Sequence, residues 1–104
     1  ATANANGMST ISVAQLPRQA QITYQTIHGS RNFAYEKDGV VFGNYEHILP
    51  KQARGYYREY TVASPNAHNR GAQRIVCGGK EVRQPDACYY TSNHYQSFQQ
   101  IVNP

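Results

Sequence analysis

Apolar residues recur along this chain at two different periods. Leu16, Ala20, Tyr24 and Ile27 are spaced by four, four and three residues, the period of a helix that buries one face. Pro17 suits the first turn of that helix, where a missing N–H costs nothing, and Gly29 suits its C-terminal cap. Further on the period falls to two. Over 57–62, Tyr57, Glu59 and Thr61 fall on one face, and Arg58, Tyr60 and Val62 on the other. Ser64-Pro65-Asn66 breaks this strand, and 73–77 resumes with Ile75 and Cys77 opposite Arg74 and Val76. Residues 78–86 read as a hairpin connection, 87–91 as a third strand and 97–102 as the last. Residues 1–7 read as a loose terminus and 29–39 as loop. A helix followed by an antiparallel sheet makes the class α+β.

Composition supports a folded chain despite a thin aliphatic complement. The 104 residues suit one domain, 1–104. Ile, Leu, Val and Phe supply only 18 positions, but nine tyrosines add large buried areas that a disordered chain would lack. The apolar run Val40-Val41-Phe42 falls far short of the roughly 20 residues a membrane helix needs. The chain opens on Ala1 without a charged-then-apolar leader, as expected where a signal peptide has been removed or never existed. Cys77 and Cys88 stand 11 apart around Gly78-Gly79 and Pro85. A disulfide across a hairpin is preferred to two free thiols, and it implies an oxidising compartment outside the cytosol. Zinc would need two more ligands, and neither His68 nor His94 forms a tight pair with these cysteines.

The net charge of +4 is concentrated. Lys51, Arg54, Arg58, Arg70 and Arg74 face only Glu59 in the central block, while five bases and five acids cancel elsewhere. Seven of the ten bases are arginines, whose planar fork suits phosphate, and Tyr56, Tyr57 and Tyr60 lie among the charges. A polyanion such as RNA or DNA fits this block, against the bland alternative of a solvated basic face. If the three central strands are antiparallel neighbours, Glu59 and Arg74 share a sheet face and His94 reaches its end. A carboxylate to take a proton, a histidine to give one and arginines to hold phosphate form a constellation that cleaves phosphodiesters.

The segments Asp38-Gly-Val-Val-Phe-Gly-Asn-Tyr-Glu46, Leu49-Pro50, Gly55-Tyr-Tyr-Arg-Glu-Tyr-Thr-Val62, Arg70-Gly-Ala-Gln-Arg-Ile75 and Tyr89-Tyr-Thr-Ser-Asn-His-Tyr95 carry a resemblance. Together with Leu16-Pro17, they resemble the microbial guanyl-specific ribonucleases, the Streptomyces Sa-type branch above barnase and binase, over about residues 11–102. The resemblance implies a helix packed on a curved antiparallel sheet. It also implies a secreted, monomeric endoribonuclease that cuts single-stranded RNA 3′ of guanosine. Glu59 matches the general base, His94 the general acid, Arg70 and Arg74 the phosphate-binding pair, and Tyr95 a further phosphate contact. Phe42, Asn44, Tyr45 and Glu46 match the guanine-binding loop. There Glu46 would accept from guanine N1–H and the 2-amino group, with backbone amides near Asn44 and Tyr45 donating to O6. No metal or cofactor is implied, because the substrate's own 2′-hydroxyl is the nucleophile, and that requirement excludes DNA.

Departures from the family accompany the match. Gly43 stands where a polar residue is common, Tyr45 replaces an arginine, and the Sa-type bridge between chain ends has no cysteines. Tyr45 could stack on a base instead. His28, His47 and His68 receive no role, and Tyr56, Tyr57 and Tyr60 are read as packing residues. Two other settings fit the same residues. One is a toxin domain held by an acidic barstar-like inhibitor; the other is a non-catalytic RNA-binding module, for which Glu59 inside the positive block would be a liability.

Overall fold

The computed structural model describes residues 8–64 and 71–103. Residues 18–28 form the helix that the apolar spacing predicts, α1 (Arg18–His28). Ala20 and Ile27 are buried on its inner side, with Leu16 buried just ahead of its first turn, while Ile22 faces outward. Pro17 is the N-cap, and its carbonyl accepts from the Gln21 N–H at 3.0 Å. At the other end the Thr26 carbonyl receives the N–H groups of both Gly29 and Arg31. Arg31, at φ 58, makes the left-handed turn out of the helix. A turn of 3-10 helix, Val13–Gln15, leads in, with the Gln15 side chain accepting from the Ser12 N–H.

The strands are β1 (Thr10–Ser12), β2 (Val40–Val41), β3 (Tyr57–Thr61), β4 (Arg74–Gly78), β5 (Ala87–Thr91) and β6 (Gln99–Val102). They form one sheet in the order β1-β6-β5-β4-β3-β2. The four strands expected from alternation are present, with ends moved by up to two residues. Two additions correct the expected picture. β2 extends the sheet beside β3, and β1 pairs in parallel with β6, so the sheet is mostly rather than wholly antiparallel. Both additions are edge strands of two or three residues, too short to show a period.

Alternation gives the sheet two different faces. Tyr60, Val62, Ile75, Cys77, Cys88, Tyr90 and Ile101 meet Leu16, Ala20 and Ile27 from the helix side. Full burial of Ile27 and Ile75 contributes about 2 kcal/mol each. On the opposite face Tyr57, Val76 and Tyr89 form a smaller cluster with Leu49 and Phe98 from the loops. The expected packing roles of Tyr57 and Tyr60 thus hold, on opposite faces. Cys77 and Cys88 are directly paired across β4 and β5 and joined by a disulfide, on the helix side. The connection they close reaches the end of α1, where Arg31 donates to the Val82 carbonyl and Arg83 to the Gly29 carbonyl. No described helix is long and apolar enough to cross a membrane.

Candidate active site

The face turned away from the helix carries the charged chemistry. Glu59 lies opposite Val76, and Arg74 lies opposite Thr61 and Thr91, so the β3–β4 register puts carboxylate and guanidinium on one side of the sheet. Arg74 is only 3% exposed. Its Nη1 donates to the carbonyls of Gly71 (3.0 Å) and Gln73 (2.8 Å), which fixes the orientation of the guanidinium plane. The Tyr95 hydroxyl completes the group, close enough to Glu59 and Arg74 for both charges to act on it. Burial pushes its phenol up to about 12; the Glu59 charge adds to this and the Arg74 charge opposes it. At neutral pH Tyr95 is therefore a neutral hydroxyl, able to donate to a carboxylate and accept from a guanidinium at once.

His94 and Tyr95 reach this face from the turn after β5 by an uncommon backbone path. Both are left-handed, at φ 54 and 75, a conformation that costs non-glycine residues free energy unless neighbours impose it. The neighbours are Thr91 and Asn93. The buried Thr91 hydroxyl donates to Asn93 Oδ1 at 2.9 Å and accepts from the N–H groups of Asn93 and Tyr95. Asn93 Oδ1 also accepts from the Ser97 N–H at 3.0 Å, and Asn93 Nδ2 donates to Ser97 Oγ at 2.8 Å. The His94 N–H is tied to the Ala72 carbonyl at 2.9 Å. These bonds leave the imidazole exposed, tilted against the Tyr95 ring at 4.6 Å between centroids. Thr91, Asn93 and Ser97 were not singled out from sequence. Their signal is the turn chemistry of Thr-Ser-Asn, whose short polar side chains bond nearby backbone.

The loop that follows β2 supplies a pocket wall. The Phe42 N–H donates to the Tyr57 carbonyl at 2.9 Å, and its ring packs on Tyr95 at 4.9 Å and Phe98 at 6.0 Å. Asn44 takes the left-handed turn at φ 52, and its side chain pairs with the Leu49 backbone in both directions, donating at 3.0 Å and accepting at 3.2 Å. This amide braces the loop, so it is the backbone of Asn44 that remains for a ligand. The Tyr45 ring folds back over Gly43, where a Cβ would lie 2.4 Å from it, and is 89% exposed. A side chain at position 43 would displace that ring.

A cavity of about 280 Å³ joins the two halves. Phe42, Asn44, Tyr45 and Glu46 line one side and His94, Tyr95 and Phe98 the other. Every expected loop residue therefore meets the expected acid in one cavity, and Tyr95 on its wall lies within reach of the Glu59 and Arg74 charges. Arg70 and His68 lie outside the described residues. His28 is used locally, its Nδ1 at 2.8 Å from the Tyr24 carbonyl. Tyr56 donates to Asp86 at 2.7 Å, away from the cavity.

Known proteins resemble this chain in sequence and in fold. The chain is 46% identical over 92 residues to guanyl-specific ribonuclease Sa of Kitasatospora aureofaciens, covering 88% of this chain and 92% of that protein. It is 44% identical over 100 residues to guanyl-specific ribonuclease St of Saccharopolyspora erythraea, covering 94% and 93%. A solved structure of ribonuclease Sa2 complexed with mononucleotides superposes with a TM-score of 0.83 at 39% identity, over 91% of this chain and 94% of that one. Ribonuclease Sa2 with guanosine-2′-cyclophosphate gives 0.82 at 38% identity, over 92% and 97%. The ribonuclease family model matches residues 1–102, and the chain belongs to that family.

Proposed function

We propose that this protein cleaves single-stranded RNA 3′ of guanosine, by transesterification and then hydrolysis. The observation that carries the reading is the shared cavity. It brings the Glu46 loop against His94 and Tyr95, and the Glu59 and Arg74 charges both act on the Tyr95 hydroxyl. The carboxylate of Glu46 accepts from the two adjacent donors on guanine, N1–H and the 2-amino group; adenine offers an acceptor at N1 and is refused. Glu59 takes the proton of the ribose 2′-hydroxyl, and that oxygen attacks phosphorus. The bond to the 5′-oxygen of the next nucleotide breaks, and His94 protonates that oxygen as it leaves. Arg74, with Arg70, balances the charge gathering on phosphate, and the Tyr95 hydroxyl hydrogen-bonds it. The 2′,3′-cyclic phosphate is then opened by water with the two proton-transfer roles exchanged, giving the 3′-phosphate. The guanyl-specific names of the relatives, and ribonuclease Sa2 structures with guanosine-2′-cyclophosphate and with 3′-GMP, support this course.

The setting belongs to the same proposal. The Cys77–Cys88 disulfide fits an oxidising environment, and we read the protein as a secreted monomer. Its concentrated positive charge suits an acidic protein inhibitor. The test is incubation with GpA, ApA, CpA and UpA in EDTA, with product identification. Guanosine 2′,3′-cyclic phosphate from GpA alone is the expected result. Cleavage of several dinucleotides would separate the catalytic group from the Glu46 assignment, and no cleavage would remove the enzymatic reading.

A further inference from the structure

A second and larger cavity, of about 540 Å³, adjoins the recognition loop. Phe42, Asn44 and Tyr45 line both cavities, so one strand of loop forms their common wall. The far wall is the segment 51–55, which brings Lys51 and Arg54, and His47 lies beside them. No carboxylate lines this cavity among the described residues. Its far wall is anchored: the Tyr57 hydroxyl donates to the Pro50 carbonyl, and the Tyr56 N–H to the Ala53 carbonyl at 3.1 Å. Of the basic block, Arg74 serves the catalytic face and Arg58 donates to the Gly39 carbonyl at 2.8 Å. Lys51 and Arg54 are the cations of that block that line the second cavity.

The course of the substrate strand follows from the chemistry. His94 protonates the 5′-oxygen of the departing nucleotide, so RNA on the 3′ side of the guanosine leaves past His94. The second cavity contains neither His94 nor Tyr95 nor Glu59, yet it continues from the guanine pocket across Tyr45. We propose that it is a subsite for the nucleotide on the 5′ side of the guanosine, with Lys51 and Arg54 holding its phosphate and the exposed Tyr45 ring stacking on its base. This subsite rests on the ribonuclease reading above. Cations on a backbone phosphate and an aromatic face under a base are the standard elements of single-strand binding, and they are indifferent to base identity.

The test compares kcat/KM on GpA, UpUpGpA and GpApUpU for the wild type and for Lys51→Ala/Arg54→Ala. The wild type is expected to gain from the 5′ extension. The double variant is expected to lose roughly five- to tenfold on UpUpGpA alone, the size of two exposed ion pairs, with a shallower salt dependence. GpA and GpApUpU should be cleaved as before. Equal losses on all three substrates, a loss confined to GpApUpU, or no wild-type gain from the 5′ extension would overturn the subsite while leaving the enzyme intact. Weakened binding of an acidic inhibitor protein with unchanged UpUpGpA kinetics would overturn it too, by giving the surface to a protein. Failure of the wild type to cleave any of the three would remove the ribonuclease reading, and the subsite with it.

Discussion

At the residue scale the site depends on side chains that serve two partners. Tyr95 is the clearest, since the charges of Glu59 and Arg74 both act on its neutral hydroxyl. Tyr95→Phe keeps the ring that packs on Phe42 and Phe98 and removes only that junction. We expect kcat/KM on GpA to fall about ten- to a hundredfold with a stability loss of about 1 kcal/mol, read from initial rates and urea unfolding. Unchanged rates would mean that the hydroxyl is structural. Glu59→Gln should instead cost about 10²–10⁴-fold in the initial rate on GpA while the urea midpoint stays close to that of the wild type; an unchanged rate would remove the base assignment. Glu46→Gln turns one acceptor into a donor facing guanine, and should cost about 10²-fold on GpA with no effect on the thermal midpoint. Glu59 and Arg74 were legible in the sequence because a period of two assigns faces without any knowledge of loops. The left-handed turn at His94 and Tyr95 was not, because nothing in those side chains announces a positive φ.

At the element scale the turn after β5 is the piece that holds His94, the proposed acid. Thr91 is buried, and its hydroxyl closes bonds to Asn93 and Tyr95 that no strand ladder supplies. Thr91→Val keeps the shape and leaves those N–H groups and Asn93 Oδ1 short of a partner. The expected cost is about 1–3 kcal/mol in urea unfolding, with a fall in kcat larger than any change in KM, because His94 is displaced rather than the guanine loop. A stability loss with unchanged kcat would detach this network from catalysis. The same scale shows where a sequence reading runs out. Helix α1 and strands β3 to β6 are long enough for a period to emerge, and all appeared at their expected places. Thr10–Ser12 and Val40–Val41 became strands only because β6 and β3 offered free edges to pair with. That is a tertiary event, and two or three residues carry no pattern for it.

At the scale of the whole molecule, one sheet carries the larger core on its helix side and a smaller core beside the proposed site on the other, with tyrosines in both. Burial holds Tyr24, Tyr89 and Tyr90 above their ordinary value. The Asp86 hydrogen bond takes Tyr56 to about 12, burial chiefly takes Tyr95 to about 12, and Tyr57 is raised further, also by burial. The unfolded chain releases these protons near 10 while the native state keeps them, so the native state binds more protons and stability falls from pH 10 towards 12. Urea midpoints should decline through that window; a flat midpoint would show that the phenols are not held. The disulfide tests the separation of the two faces. Cys77 and Cys88 pack with Ile27 and Tyr90, whereas Glu59, Arg74 and Tyr95, the proposed catalytic group, lie on the far side of the same strands. Chain-entropy arithmetic for a loop closed over a separation of 11 gives about 3 kcal/mol, so Cys77→Ala/Cys88→Ala should unfold at markedly lower urea. The folded fraction should nevertheless cleave GpA at the wild-type rate, because β3 to β5 keep their register through backbone pairing. If the folded variant lost activity, the bridge would be holding the catalytic register rather than only the fold, and the two faces would have to be treated as one unit.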